Sequence, residues 1–108
     1  MTDIVNEYMK NNRATDWFGV KRLYCNDGFS MSVQAHYGAY CTPRVNSTET
    51  DHYFKVEIGY PSEREELIME YADDYDDPTA TVYGYVPVEV VKEVIEKHGG
   101  IKTWTTSS

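Results

Sequence analysis

Hydrophobic and polar residues alternate in several short runs along the chain, and this pattern predicts a small β-sheet. Phe29–Ala35 and Tyr53–Tyr60 alternate most regularly, so each is expected to be a strand. Tyr53–Tyr60 is expected to have one wet face. Trp17–Cys25 and Thr81–Val86 predict two further strands. Asp27-Gly28 lies between the first two strands and is typical of a tight hairpin turn, because glycine tolerates positive φ. In the third strand the predicted core face carries Phe54, Val56, Ile58 and Tyr60.

Hydrophobic residues at helical spacing flank these strands. The first predicted helix is capped by Thr2 and ends near Arg13. The last follows Pro87, which needs no N–H at a first helical position, and it ends at Gly99-Gly100 in a Schellman motif with Ile101. Its buried side is predicted to hold Val91, Val94, Ile95 and His98.

Length and element order together predict one domain. A chain of 108 residues has room for a single core. The irregular segment 36–44 and the polar loop 45–51 separate the second and third strands. We therefore predict an α+β domain over residues 1–102, in which two or three helices pack on one face of a small antiparallel sheet of about four strands. Residues 103–108 are predicted to be a mobile C-terminal tail.

Negative charge is concentrated in Glu63–Asp77 (EREELIMEYADDYDD), the acidic segment. It contains eight acids and one base, Arg64, a net charge of −7, whereas the whole chain carries −8. Ser62 and Glu65 fit a capping box, which predicts a helix over Glu63–Ala72 followed by an acidic loop. A strand over Leu67–Tyr71 is the alternative. On a helix, six of the eight acids would lie within about 100° of arc. They are Glu63, Glu66, Glu70, Asp73, Asp74 and Asp77.

Bulk composition narrows the class of partner. The start of the chain has no signal-peptide pattern and no apolar run is long enough to span a bilayer, so a reducing, intracellular location is expected. A pI of 4.7 disfavours direct binding to nucleic acid or an anionic membrane, since both would repel the chain. A basic partner is the natural inference. Ten tyrosines add side chains that are common at binding surfaces.

Catalytic and metal chemistry have weak support in the sequence. Cys25, His36, Cys41 and His52 do not have the spacing of a zinc site, and we predict no metal or other cofactor. Cys41 as a nucleophile, with His36 as base and Arg44 as anion clamp, lacks an oxyanion-hole glycine run. The DDYDD run lacks the closing Glu of a calcium loop, since Tyr85 occupies that position.

Electrostatic recognition is the chemistry that remains. Closely spaced acids resemble the phosphates of DNA, so a Lys- and Arg-rich groove of a nucleic-acid-binding protein is expected to accept them. Tyr71 and Tyr75 would add stacking or cation–π contacts. The alternative is that the charge run is only a solvated face. The predicted partner-binding residues are Glu63, Glu66, Glu70, Asp73, Asp74, Asp76, Asp77, Tyr71 and Tyr75.

About two-thirds of the chain resembles small proteins encoded in bacteriophage genomes. The similarity lies in MSVQAHYGAYCTPR, YFKVEIGYPS and YADDYDDPTATVYGYVPVEVVKEVIEKHGGI. It implies a non-enzymatic inhibitor of host nucleic-acid machinery, of the anti-CRISPR or anti-restriction type, in the cytoplasm of the host cell. It also leaves Met31 as a second start, which would remove the first helix and strand from the core.

Two other classes stay open. One is a small hydrolase or transferase that uses Cys41 and His36. The other is a structural or virion accessory protein that forms a homodimer through a Tyr-rich face.

Overall fold

In the described part of the chain, four antiparallel strands and three helices form an α+β fold, as predicted. The computed structural model describes residues 3–13 and 19–102. The sheet has the order β1-β2-β3-β4, so every strand pairs with its neighbour in sequence. The elements in chain order are α1 (Ile4–Asn11), β1 (Leu23–Tyr24), β2 (Ser30–Gln34), β3 (Lys55–Gly59), a 3₁₀ helix (Glu66–Tyr71), β4 (Val82–Pro87) and α2 (Val88–Lys97).

One hydrophobic core joins the sheet to the helices. Val33 pairs with Ile58, which in turn pairs with Tyr83, and all three side chains are fully buried. α2 contacts α1, β4 and the 3₁₀ helix. The helices contribute Val5, Met9, Ile68, Met69, Val91, Val94 and Ile95 to this core. α1, which a second start at Met31 would remove, supplies Val5 and Met9 to this core. Within the described residues, no helix is long and apolar enough to cross a membrane.

The first helix begins one residue later than predicted. Asp3, not Thr2, is the N-cap, and its carboxylate accepts a 2.8 Å hydrogen bond from the Asn6 N–H. The buried Asn6 side chain then exchanges hydrogen bonds with the backbone of Tyr53. This contact fixes α1 against the chain that leads into β3.

The first strand is much shorter than the predicted Trp17–Cys25. Residues 17 and 18 of that prediction lie outside the described residues, and β1 covers only Leu23–Tyr24. Before β1, the side chain of Gln34 makes the hydrogen bonds that a longer β1–β2 ladder would supply from the backbone. Its amide accepts from Val20 N and donates to Val20 O, both at 2.8 Å. The predicted hairpin turn is confirmed, and Gly28 has a φ of +99° there.

The third strand is confirmed, but its predicted core face is wrong at both ends. Phe54 and Tyr60 are 60% and 53% exposed, whereas Tyr53 is buried. Tyr53 lies before the ladder, and its hydroxyl donates to Val45 O. Tyr60 has a φ of +49°, which turns the chain out of the sheet, and Arg22 donates to its carbonyl.

The strand-to-helix unit at residues 82–100 matches its prediction closely. β4 runs directly into α2, and the predicted residues Val91, Val94, Ile95 and His98 are buried. Pro87 is the N-cap and the last residue of β4, one position before the predicted first helical position. Gly99 N donates to Glu96 O and Gly100 N to Ile95 O, which are the two bonds of a Schellman motif. The predicted tail, residues 103–108, lies outside the described residues.

Candidate functional site: an acidic surface beside β4

The acidic segment is ordered, but it is not the predicted α-helix. Its helical part is a 3₁₀ helix over Glu66–Tyr71, so both the α-helix over Glu63–Ala72 and the alternative strand are wrong. The capping box is also wrong, because Ser62 bonds to β2 instead. Ser62 N donates to Ser30 O, and Ser62 Oγ accepts from Ser30 N at 2.9 Å. Like charges at i,i+4 spacing, which oppose a longer α-helix, are consistent with this outcome.

Glu65 is the acid that leaves the surface. It is 1% exposed and caps the 3₁₀ helix by accepting from Leu67 N at 3.0 Å. The same carboxylate accepts from Lys97 Nζ at 2.8 Å and lies 2.7 Å from His98 Nε2. A buried carboxylate is stable only when it is paired and hydrogen-bonded, and Glu65 meets both conditions.

His98 connects this carboxylate to the β1–β2 turn. Its Nδ1 lies 2.6 Å from Asp27 Oδ2, and its ring stacks on Phe29 with centroids 4.1 Å apart. Ionised carboxylates only accept hydrogen bonds, so contacts at both ring nitrogens favour the imidazolium form of His98, in which both nitrogens donate. Asp27, His98, Glu65 and Lys97 therefore form one ionic network, which we call the His98 network.

The direction of each pKa shift agrees with this assignment. Burial lowers the pKa of His98, but the hydrogen bonds to Glu65 and Asp27 outweigh it and raise the pKa above its usual value. Burial raises the pKa of Glu65, but the hydrogen bonds from Lys97, Leu67 N–H and His98 outweigh it and lower the pKa. Each shift favours the charged form of its residue.

The other seven acids of the segment are exposed. Only Glu66 has a basic neighbour within the acidic segment, since Arg64 Nε donates to its carboxylate. The remaining six make no ion pair with the described residues. The exposed acids are Glu63, Glu66, Glu70, Asp73, Asp74, Asp76 and Asp77.

These acids lie on backbone that is held against β4. Ala72 bridges to Tyr83, and Asp73 N donates to Val82 O at 2.9 Å. Asp74 N donates to the hydroxyl of Thr81, and the Asp74 carboxylate in turn accepts from Asp76 N. The predicted acidic loop is thus a series of hydrogen-bonded turns.

The acids are not arranged as the single predicted stripe. A 3₁₀ helix has three residues per turn, so Glu66 and Glu70 lie about 120° apart around its axis. The Asp residues follow on turns outside the helix. Charge density is retained along the chain, but the carboxylates present a broader surface than one helical face.

The two predicted tyrosine anchors differ in exposure. Tyr71 is half-buried against the core, and burial raises its pKa. Tyr75 is 55% exposed. The Arg64 guanidinium lies 5.3 Å from the Tyr75 ring centroid and donates to its hydroxyl at 3.2 Å. Tyr75 therefore offers an exposed aromatic ring within the acidic segment.

The Cys41–His36 pair does not have the geometry of a nucleophile and its base. Both cysteines are buried, and the Cys41 thiol donates to His36 O and Pro43 O. Burial raises the pKa of Cys41 and raises that of Cys25 to about 11, so neither thiol ionises readily at neutral pH. The His36 ring nitrogen Nδ1 accepts from Gly38 N, not from the thiol. In the described part of the chain, no three His, Cys, Asp or Glu side chains converge as metal ligands.

The His98 network is the feature that sequence reasoning missed. Two signals pointed to it. Glu65 falls outside the acidic arc of the predicted helix, and His98 falls on the apolar side of the last helix. Two ionisable side chains of opposite sign on core-facing positions are expected to pair. Glu65 and His98 are 33 residues apart, so no short sequence motif contains both.

Comparison with protein-family models, with curated proteins and with solved structures gives no match for this chain.

Proposed function

We propose that the chain is a non-enzymatic binding protein whose acidic segment occupies a basic nucleic-acid-binding surface of a host protein. The class of protein is a phage-type inhibitor of anti-CRISPR or other anti-defence kind. The observation that carries the proposal is the exposure of seven acids within Glu63–Asp77, on a chain that is close to neutral elsewhere.

Order in the acidic segment supports this proposal over a merely solvated charge run. A solvated face needs no fixed backbone, whereas mimicry of a polyanion benefits from carboxylates that are already positioned before binding. Here Glu65 and Ile68 anchor the start of the segment in the core, and bonds to Val82 and Thr81 fix its end. The backbone between these anchors is therefore ordered before any partner binds.

The proposal is tested by capture from a bacterial lysate at low salt. The test variant carries Glu70→Lys, Asp73→Lys and Asp76→Lys, three exposed acids whose carboxylates accept no hydrogen bond from the described residues. The matched control carries Glu89→Lys, Glu93→Lys and Glu96→Lys on the exposed side of α2, which gives the same net charge.

We expect the wild type and the control to retain a nucleic-acid-binding protein that the test variant does not retain. Added duplex DNA should displace the chain from that protein, because both occupy the same basic surface. Equal retention by the test variant, or a complex that DNA leaves intact, would contradict the proposed function.

A further inference from the structure

Four exposed side chains form a cluster on the surface, outside the acidic segment. Tyr37, Tyr40 and Tyr85 are 67%, 46% and 45% exposed. The rings of Tyr40 and Tyr85 have centroids 6.0 Å apart, and the Arg44 guanidinium lies 5.7 Å from Tyr40 and 5.8 Å from Tyr37. We call this set the aromatic cluster.

The backbone is adapted to bring these rings together. Tyr85 lies at a β-bulge in β4 opposite Glu57 and has a φ of +55°, which non-glycine residues seldom adopt. Tyr85 N donates to Tyr40 O at 3.0 Å. A side chain at Gly84 would approach Tyr40 Cβ to 3.2 Å, so glycine allows the close contact. The Tyr40–Tyr85 pair is therefore held in place before any partner binds.

Tyr85 of the aromatic cluster lies on β4, the edge strand to which the acidic segment is bonded. β4 is bonded to the segment at Val82 and Tyr83, and to the cluster at Tyr85. Val82 and Tyr85 are three residues apart, which is roughly 10 Å along a strand. A typical protein interface covers about 800 Å² on each partner, so one partner can contact both regions.

The chemistry of the cluster fits a protein better than a nucleic acid. Tyrosine and arginine are enriched at the energetic centres of protein interfaces. Arg44 donates its Nε–H to Tyr37 O, and its terminal nitrogens make no hydrogen bond or ion pair with the described residues. A carboxylate of a partner would complement them. A phosphate backbone would be repelled by the seven exposed acids nearby.

We propose that the aromatic cluster and the acidic segment form one continuous interface with the same protein partner. The acidic segment lies in the basic groove, and the cluster packs on the rim beside it, where Arg44 meets a carboxylate. This inference rests on the proposed function. The tyrosine rings of the cluster add a part of the binding energy that does not depend on salt, whereas the Arg44 contact is screened like the acidic ones.

The test uses the protein that the wild-type chain retains from the lysate, purified and titrated against variants between roughly 50 and 200 mM NaCl. Tyr37→Ala and Tyr40→Ala should each weaken affinity by about tenfold or more. The salt dependence should keep its slope, because no charge is removed. Tyr24→Ala is the control, since Tyr24 is 48% exposed on β1, at the opposite edge of the sheet. It should change affinity by less than about twofold.

Each of the other possible outcomes contradicts the inference in a different way. If both cluster variants bind like the wild type while the acidic-segment variant does not, the inference is wrong and the proposed function stands. If no protein is retained, or the acidic-segment variant binds normally, both fail. Native mass spectrometry that shows a wild-type dimer and a Tyr40→Ala monomer would assign the cluster to a second copy. Loss of single-stranded oligonucleotide binding in Tyr40→Ala would assign it to nucleic acid. Either result overturns the inference.

Discussion

The acidic segment and the strand-to-helix unit that follows it are adjacent in the chain but are stabilised in different ways. Residues 82–100 carry local sequence signals for their own structure. These are a β-prone run, Pro87 at the junction, apolar residues at helical spacing and Gly99-Gly100 at the helix end. The acidic segment depends on distant partners. Ser62 bonds to Ser30, and Glu65 contacts Lys97 and His98. Local signals predict the unit well, whereas the segment takes its shape from the fold around it.

The largest expected effect on stability comes from the substitution of Glu65, which removes its contacts with distant residues. Glu65→Ala should lower the free energy of unfolding by about 3 kcal/mol or more, because it leaves His98 as a buried cation with one carboxylate fewer. Glu66→Ala, one residue on, removes only an exposed pair with Arg64 and should change stability far less. Urea unfolding followed by circular dichroism measures both. Similar effects of the two substitutions would show that the segment is not anchored through Glu65.

The next largest effect on stability is expected from a buried isoleucine in each of the two regions. Ile68 of the 3₁₀ helix and Ile95 of α2 are both buried. Ile68→Ala and Ile95→Ala should each cost about 3 kcal/mol, because each leaves a cavity in the same core. Leu67→Ala is the control, since Leu67 is 37% exposed and should cost less than about 1 kcal/mol. An Ile68→Ala protein as stable as the wild type would mean that the acidic segment is only loosely attached.

A smaller effect is expected from pH. The lowered pKa of Glu65 stabilises the fold above its unfolded value of about 4.5, and this contribution is lost as the pH falls through the folded pKa. The raised pKa of His98 stabilises the fold below about 6.5, and this contribution is lost as the pH rises through the folded pKa. The His98 network should therefore contribute most between about pH 4.5 and 6.5.

The His98→Gln variant isolates that contribution. Unfolding free energies of the wild type and His98→Gln, measured from pH 4 to 9, should converge as the pH rises above the folded pKa of His98. A difference that stays constant across this range would show that the imidazolium does not act through its charge.

The smallest expected effect on stability comes from the exposed acids. Replacing Glu70, Asp73 and Asp76 by Gln, Asn and Asn should leave the free energy of unfolding within about 0.5 kcal/mol per substitution, because they are exposed surface positions. Thermal unfolding provides the measurement. A large loss of stability would mean that these carboxylates serve the fold and are not free for a partner.

The parts of the molecule that sequence predicts are those with a local cause. The Asp27-Gly28 turn, the alternation in Phe29–Ala35 and the Gly99-Gly100 helix end all depend on near neighbours, and all are confirmed. The alternation also predicted the burial of Val56 and Ile58. It failed for Phe54 and Tyr60, because the register of a strand is periodic only as far as its ladder extends.

The candidate site was predicted in composition but not in geometry. Seven of the eight acids are exposed, as a charged stretch implies. The position of Glu65 in the core depends on His98, which lies 33 residues further along the chain, beyond β4 and α2. The aromatic cluster depends in the same way on a bulge that places Tyr85 beside Tyr40. Periodicity can place a residue on a core-facing position, as it does for His98, but it does not identify the distant partner.

The salt dependence of partner binding tests the central claim most directly. The association constant of the retained protein should be measured against NaCl concentration for the wild type, the Glu70→Lys/Asp73→Lys/Asp76→Lys variant and the α2 control. We predict a steep fall for the wild type and the control, and a weaker, flatter dependence for the acidic-segment variant. The same affinity and the same slope for all three proteins would contradict recognition through the acidic segment.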